Sequence, residues 1–259
     1  MNKQFYITTA IDYVNGQPHL GHAYEKIITD VIARSQCCLG SESFYLTGLD
    51  EHGQKVQQAA EKNGKTPQDH CDSMAPAFID LWKKLNINYS DFIRTTEHRH
   101  TNIVQKILTK VHESGDIYMD EYEGWYSISE ERFITEKELD SGQFGEVKQI
   151  KEKNYFFRMS KYQATLIDKI EKDELLIQPK SRKNEVLGFL KNELSDLCIS
   201  RPKSRLEWGI ELPFDDNYVT YVWFDALINY ISAIGAYKND EQFSSLWPAD
   251  VHLIGKDIL

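Results

Sequence analysis

Apolar residues recur along the chain in two alternating rhythms, one typical of strands and one of helices. Phe5 to Ala10 is an apolar, β-branched run bounded by the turn residues Asn15, Gly16 and Pro18, which predicts a buried strand. From His19 onward Leu20, Ala23, Ile27 and Val31 recur at helical spacing, with Pro18 where a first turn tolerates it and Gly40 just past the end. A helix with those four residues as its apolar face is therefore expected. Phe44 to Leu46 predicts a second strand, Asp50 to Gly53 a turn, Gln54 to Lys62 a helix, Phe92 to Thr95 a third strand and Thr101 to Glu113 another helix. This alternation argues for an α/β fold with an open parallel sheet and ligands at the carboxyl ends of its strands. Between residues 116 and 211 the pattern changes to short aromatic-rich segments with Gly124, Gly142 and Gly145 and then two charged helices, as expected of an insertion. The alternation resumes at Tyr218 to Phe224, with a helix from Asp225 to about Tyr237 and a strand at Val251 to Ile254.

Composition narrows the classes. Hydrophobic residues make up 41% and charged residues 27% of the 259, and no apolar run approaches the roughly 20 residues that span a bilayer. The opening Met-Asn-Lys-Gln-Phe-Tyr-Ile lacks the regions of a secretory signal, so a cytoplasmic location is expected. A net charge of −10 disfavours a wide nucleic-acid surface. An RNA partner would be met through local patches, for which Lys180, Arg182, Lys183 and Lys191, followed by Arg201, Lys203 and Arg205, are candidates; a solvated charged face explains the same residues. Cys37, Cys38, Cys71 and Cys198 contain no C-x-x-C pair and are read as reduced thiols, without a cysteine zinc site.

The chemistry concentrates after the first strand. His19-Leu20-Gly21-His22 opens the predicted helix, so two imidazoles three residues apart project beside free backbone N–H groups and the positive end of the helix dipole. Such a corner suits a triphosphate, and Gly21 lets a nucleotide approach the backbone; two N-terminal surface histidines are the plain alternative. Asp50, just after a strand, can hold an ammonium or cap the following helix, and His52 can face the nucleotide or orient the turn. Gly255 and Asp257 follow the last strand, where they either admit a nucleotide and accept ribose hydroxyls or form a turn.

The resemblance to a family rests on Thr8-Thr9-Ala10-Ile11-Asp12-Tyr13-Val14-Asn15-Gly16 leading into His19-Leu20-Gly21-His22, then Thr47-Gly48-Leu49-Asp50-Glu51-His52-Gly53 and Phe92-Ile93-Arg94-Thr95-Thr96. Asn154-Tyr155-Phe156-Phe157-Arg158-Met159, Ser181-Arg182-Lys183-Asn184-Glu185, Ile199-Ser200-Arg201, Trp208-Gly209-Ile210, Tyr221-Val222-Trp223-Phe224-Asp225-Ala226 and Ile254-Gly255-Lys256-Asp257 continue it across essentially the whole chain. In these segments the chain resembles the methionyl-tRNA synthetases of class I.

The resemblance implies a Rossmann-like parallel sheet in two halves, residues 1–115 and 212–259, around a mixed α+β connective insertion at 116–211. It implies activation of methionine with ATP and Mg2+ and transfer to tRNA(Met) in a full-length protein, with His19 and His22 catalytic and His19, Gly21, His22, Gly255 and Asp257 on the ATP. Ala10, Ile11, Tyr13, Asp50, Val222, Trp223, Ala226, Tyr230 and Ile258 match substrate-binding positions; without the resemblance Val222, Trp223 and Tyr230 read as plain core. The family's Lys-Met-Ser-Lys-Ser loop and anticodon-binding domain are expected beyond Leu259, and the proline after the family's Asp-Ala pair is Leu227 here. Ser127, Ser129 and Glu130 stand where many relatives carry zinc-binding cysteines, so no metal site is expected and the insertion core falls to Trp125, Tyr126, Phe133, Tyr155, Phe156 and Phe157. Two other readings remain: another class I synthetase, or a methionine- or adenosine-binding fragment with little turnover.

Overall fold

The computed structural model describes residues 4–127, 132–134, 139–140, 145–256 and 258. β1 (Phe5–Thr9), β2 (Asp12–Tyr13), α1 (Leu20–Cys38), β3 (Ser43–Asp50), α2 (Gln54–Lys62), α3 (Pro67–Lys84), β4 (Asp91–Arg94) and α4 (His98–Glu113) come first. β5 (Ile117–Ser127), β6 (Arg132–Ile134), β7 (Val147–Phe157), α5 (Gln163–Glu171), α6 (Lys180–Leu190), β8 (Leu197–Cys198), β9 (Ser200–Pro202), β10 (Glu211–Leu212) and β11 (Asp215–Thr220) follow. α7 (Val222–Leu227), α8 (Asn229–Ser232), α9 (Asp240–Leu246) and β12 (Val251–Leu253) complete the order.

Five strands form one parallel sheet. β12 lies beside β1, β1 and then β2 run along one edge of β3, and β4 runs along its other edge. The chain leaves β1 toward β3 on one side and returns as β12 on the other, so a crevice opens at the carboxyl ends of β1 and β12 where the strand order reverses. Both faces of the sheet are covered, as a parallel sheet requires: Ile7, Tyr45 and Leu49 pack with Phe78 and Trp82 of α3 on one face, and Tyr6, Leu46 and Ile93 with Ala233, Ile234 and Leu246 on the other. Antiparallel β5 and β7 pair along eleven residues in a second sheet, and β9, β10 and β11 form a third. Of the aromatic residues expected in the insertion core, Tyr126, Tyr155 and Phe156 are buried and Trp125 and Phe157 half-buried; the Phe133 side chain, Ser129, Glu130 and Gly142 fall outside the described residues.

Three expectations change. α1 turns Ala23, Lys26, Thr29, Asp30 and Ala33 inward, while Leu20 and Val31 are 83% and 60% exposed and Ile27 also faces out. The buried face is small or polar and its charges are satisfied in place, so apolar periodicity selects the wrong side. The segment expected to resume the parallel sheet ends at Thr220, pairs antiparallel with β9 and β10, and becomes helical from Val222, because periodicity alone does not separate a short apolar strand from a buried helical turn. α3, absent from the reading by periodicity, starts where Thr66 accepts from the Asp69 N–H at 3.1 Å with Pro67 at its first position.

Gly48 lies where β3 meets β4 with no room for a side chain: a Cβ there would sit 2.0 Å from the Ile93 carbonyl oxygen. Gly48→Ala is expected to destabilise the chain by about 1–3 kcal/mol, read as a lower denaturant midpoint at unchanged slope. Among the described residues no helix is long and apolar enough to cross a membrane, and the four cysteines are free thiols.

Candidate active site

The carboxyl end of β1, the amino end of α1, the last residue of β3, helices α7 and α8 and the turn after β12 enclose a cavity of ≈ 690 Å3. Its walls hold Ala10, Ile11 and Tyr13, then His19, Gly21 and His22, then Asp50, then Val222, Trp223, Ala226 and Tyr230, and lastly Gly255 and Ile258. Every described residue expected at the site is thus brought to one place; Asp257 lies outside the described residues. Leu227, which stands where the family has a proline, lines it as well, and so do Glu25, Lys55 and Asn229, which were not singled out by the sequence. Lys55 had a legible signal, a cation in the first turn of a helix following the Asp50 loop.

The histidine corner is built by the helix cap. His19 is the N-cap in extended geometry, and its Nδ1 accepts from the Gly21 N–H at 3.1 Å. His22 reaches back, its Nδ1 accepting from the His19 N–H at 3.2 Å, and the rings stack with centroids 3.8 Å apart. An accepting Nδ1 places the ring proton on Nε2, so the pair presents two N–H donors beyond the cap. Gly21 serves this local fold as well: a Cβ would lie 3.0 Å from His19 Cε1. Burial, with help from the charges of His19 and Lys26, pushes His22 down to about 4. Its ring is expected to titrate near that value when followed by NMR. In the unfolded chain the same ring takes its proton near 6.5, so stability from this group is complete above 6.5 and is lost as pH falls toward about 4.

Beneath the corner the fully buried Lys26 ammonium donates to the Ala10 carbonyl at 3.0 Å, to Asp12 at 2.5 Å and to Glu25 at 2.8 Å. Burial drives both carboxyl groups up against the lowering pull of Lys26. This triad fixes the loop between β1 and β2, which forms the cavity floor.

Asp50 closes β3, and its carbonyl accepts from the Val14 N–H at 3.1 Å. The N-cap residue of α2 is Gly53, three residues after Asp50. The next two side chains diverge. Glu51 is buried, taking Arg94 Nε at 2.7 Å and the Thr96 hydroxyl at 2.5 Å. His52 turns away from the cavity, with its Nδ1 2.6 Å from Asp225 and its ring against Trp208. Of the candidate RNA patch, Arg201 is buried over the Tyr126 and Tyr221 rings, Arg205 packs on Tyr126, and Lys183 and Lys203 are paired with Asp173 and Glu211, whereas Lys180 and Lys191 are exposed.

The chain as a whole has counterparts among known proteins. The profile of the tRNA synthetases class I (M) matches residues 5–144 and 140–259. The chain belongs to this family. Among curated members of the class I synthetases, the methionine–tRNA ligase of Deinococcus radiodurans is 48% identical over 270 residues, covering 100% of this chain and 39% of that protein. That of Clostridium acetobutylicum is 49% identical over 263 residues, covering 99% of this chain and 40% of that protein. The chain therefore spans about two fifths of the length of these relatives. Among solved structures, the methionyl-tRNA synthetase of Mycobacterium tuberculosis in complex with methionyl-adenylate superposes with a TM-score of 0.93 at 41% identity, covering 99% of this chain and 52% of that one. The apo form of the same synthetase gives 0.80 at 39% identity, covering 100% and 51%.

Proposed function

We propose that the chain is the catalytic region of a methionine–tRNA ligase, which activates methionine with ATP to methionyl-adenylate and, in a full-length protein, delivers it to tRNA(Met) in the cytoplasm. The observation that carries this reading is the meeting of the histidine pair, Asp50 and an apolar wall around one cavity. The names of the relatives and the adenylate in the tuberculosis enzyme support it.

In this reading Asp50 takes the substrate ammonium by a charge-assisted hydrogen bond. The thioether lies against Tyr13, Val222, Trp223, Ala226, Tyr230 and Ile258, with Ala10 and Ile11 closing the floor, because a polarisable, weakly accepting sulfur favours apolar and aromatic neighbours. A carboxylate oxygen attacks the α-phosphorus in line; a C–O–P bond forms as the bond to the bridging oxygen breaks and pyrophosphate leaves. His19 and His22 donate from Nε2 to phosphate oxygens as charge develops there, a role for which the neutral ring suffices. Gly21, Gly255 and Asp257 take the rest of the nucleotide, and Lys55 supplies a cation to the same cavity. Mg2+ enters with the phosphates of ATP. Zinc has no fitting donor set in the insertion, whose single cysteine, Cys198, is half-buried beside Arg201, so no step or fold contribution is assigned to it. Residues 1–115 and 212–259 are taken as the two halves of the catalytic domain and 116–211 as its insertion.

Calorimetry with methionine, leucine and cysteine tests the reading. Methionine is expected to bind at least about tenfold more tightly than either, since a pocket separates side chains of this size by about 1–3 kcal/mol; preference for another amino acid overturns it. The second reading is a binding fragment with little turnover. Single-turnover adenylate formation, with and without the downstream sequence, separates the two.

A further inference from the structure

Three buried polar side chains outside the cavity join its two walls. Asp225 of α7 has no exposed surface and accepts from His52 Nδ1 and from His100 Nε2, each at 2.6 Å. His100, in the first turn of α4 and equally buried, has its Nδ1 2.8 Å from the Ser232 hydroxyl at the end of α8. His52 follows Asp50 by two residues, and its other side meets Trp208, whose indole donates to the Glu51 carbonyl at 2.5 Å and whose own carbonyl accepts from Gly53.

We propose that His52, Asp225 and His100 form a clamp that sets the distance between Asp50 and the Val222, Trp223 and Ala226 wall, and so governs affinity for the amino-acid substrate without touching it. The proposal rests on the reading of the cavity given above. α7 has six residues and no side-chain cap, too short to hold its own position. Asp225 is the residue next to Ala226 and two from Trp223, so its carboxylate fixes where that wall stands. Stability alone does not call for such a group, because well-packed apolar residues commonly replace a buried ionic cluster at little or no cost. What two fixed hydrogen bonds add is a defined geometry. Burial pushes the Asp225 carboxyl up, yet the nearby His52 and the bonds from both rings outweigh it and hold the group below the usual carboxylate range.

The three residues are positioning residues, tested by separating methionine affinity from ATP affinity and from melting temperature. His52→Leu and His100→Leu are expected to weaken methionine binding by at least about tenfold while ATP binding stays within about threefold. His52→Asn and His100→Gln, which return an amide N–H near the lost ring donors, are expected to recover methionine affinity to within about threefold of the unmodified chain. Should the leucine variants fail to fold, Asp225→Asn carries the test: it keeps the shape, cannot accept from both rings through two oxygens, and is expected to show the same selective loss. Unchanged methionine affinity in folded variants overturns the clamp, and so does a parallel loss of methionine and ATP binding that tracks melting temperature without rescue. The unmodified chain is titrated first. If it prefers a different amino acid, the functional reading fails and the clamp is scored with that amino acid; if it binds methionine and the variants match it, the clamp alone fails.

Discussion

Alanine at His19 or at His22 lowers the rate of methionine activation by about a hundredfold, the usual cost of removing one transition-state hydrogen-bond donor, and leaves methionine affinity almost unchanged. The expectation follows from the tautomers. Each Nδ1 is occupied by a backbone N–H, so each ring has one proton to give and it sits on Nε2. The loss falls on kcat because the donors meet charge that develops as the phosphorus is attacked. Structure and chemistry need separating at His19, since its ring also caps α1 and removing a cap costs about 1 kcal/mol of stability. His19→Asn tells them apart: the amide oxygen caps the helix, while the donor no longer reaches the phosphate. Activity should fall in both variants and the melting temperature only in His19→Ala. Methionine-dependent exchange of pyrophosphate into ATP, in a chain extended to the length of its relatives, gives the rate; calorimetry gives the affinity. A matched loss of methionine binding contradicts the role.

At Asp50 the effect moves from rate to affinity. Asp50→Ala should weaken methionine binding by roughly 10- to 150-fold, the equivalent of about 1.5–3 kcal/mol for a hydrogen bond to a charged group. Asp50→Asn should fall between, because an amide oxygen accepts from the ammonium without a full charge. The carbonyl that receives the Val14 N–H and the pairing of β2 with β3 belong to the backbone and survive both changes, and the melting temperature of each variant separates lost affinity from lost fold. If the alanine variant titrates with the original affinity, Asp50 leaves the site.

The parts of the fold that could be read from the sequence are those where local chemistry and global fold agree. The His19, Gly21 and His22 corner is legible because cap, spacing and glycine all lie within four residues between a strand and a helix. β12 is legible as a strand beside the site for a similar reason. Residues whose meaning is tertiary were not. Lys26 reads as a surface lysine on α1 until Asp12 and Glu25 come within 2.8 Å of it, and the same neighbours explain why Leu20, Ile27 and Val31 lie outside. Asp225 and His100 are 125 residues apart in sequence, so no window along the chain brings them together. Arg201 and Arg205 were grouped with the lysines by charge, whereas the fold sends them among tyrosine rings.

The ammonium under the cavity floor has a consequence for how the protein can drift over time. Lys26 and Asp12 are shut away from solvent and Glu25 is half-buried beside them at the cavity wall, a setting where an uncompensated charge is poorly tolerated. Exchange at any one of the three strands the others, so the trio should be inherited as a block. A lineage that replaces the amine has to neutralise its acids in the same stretch of history, or lose the shape of the hinge that leads into the histidines.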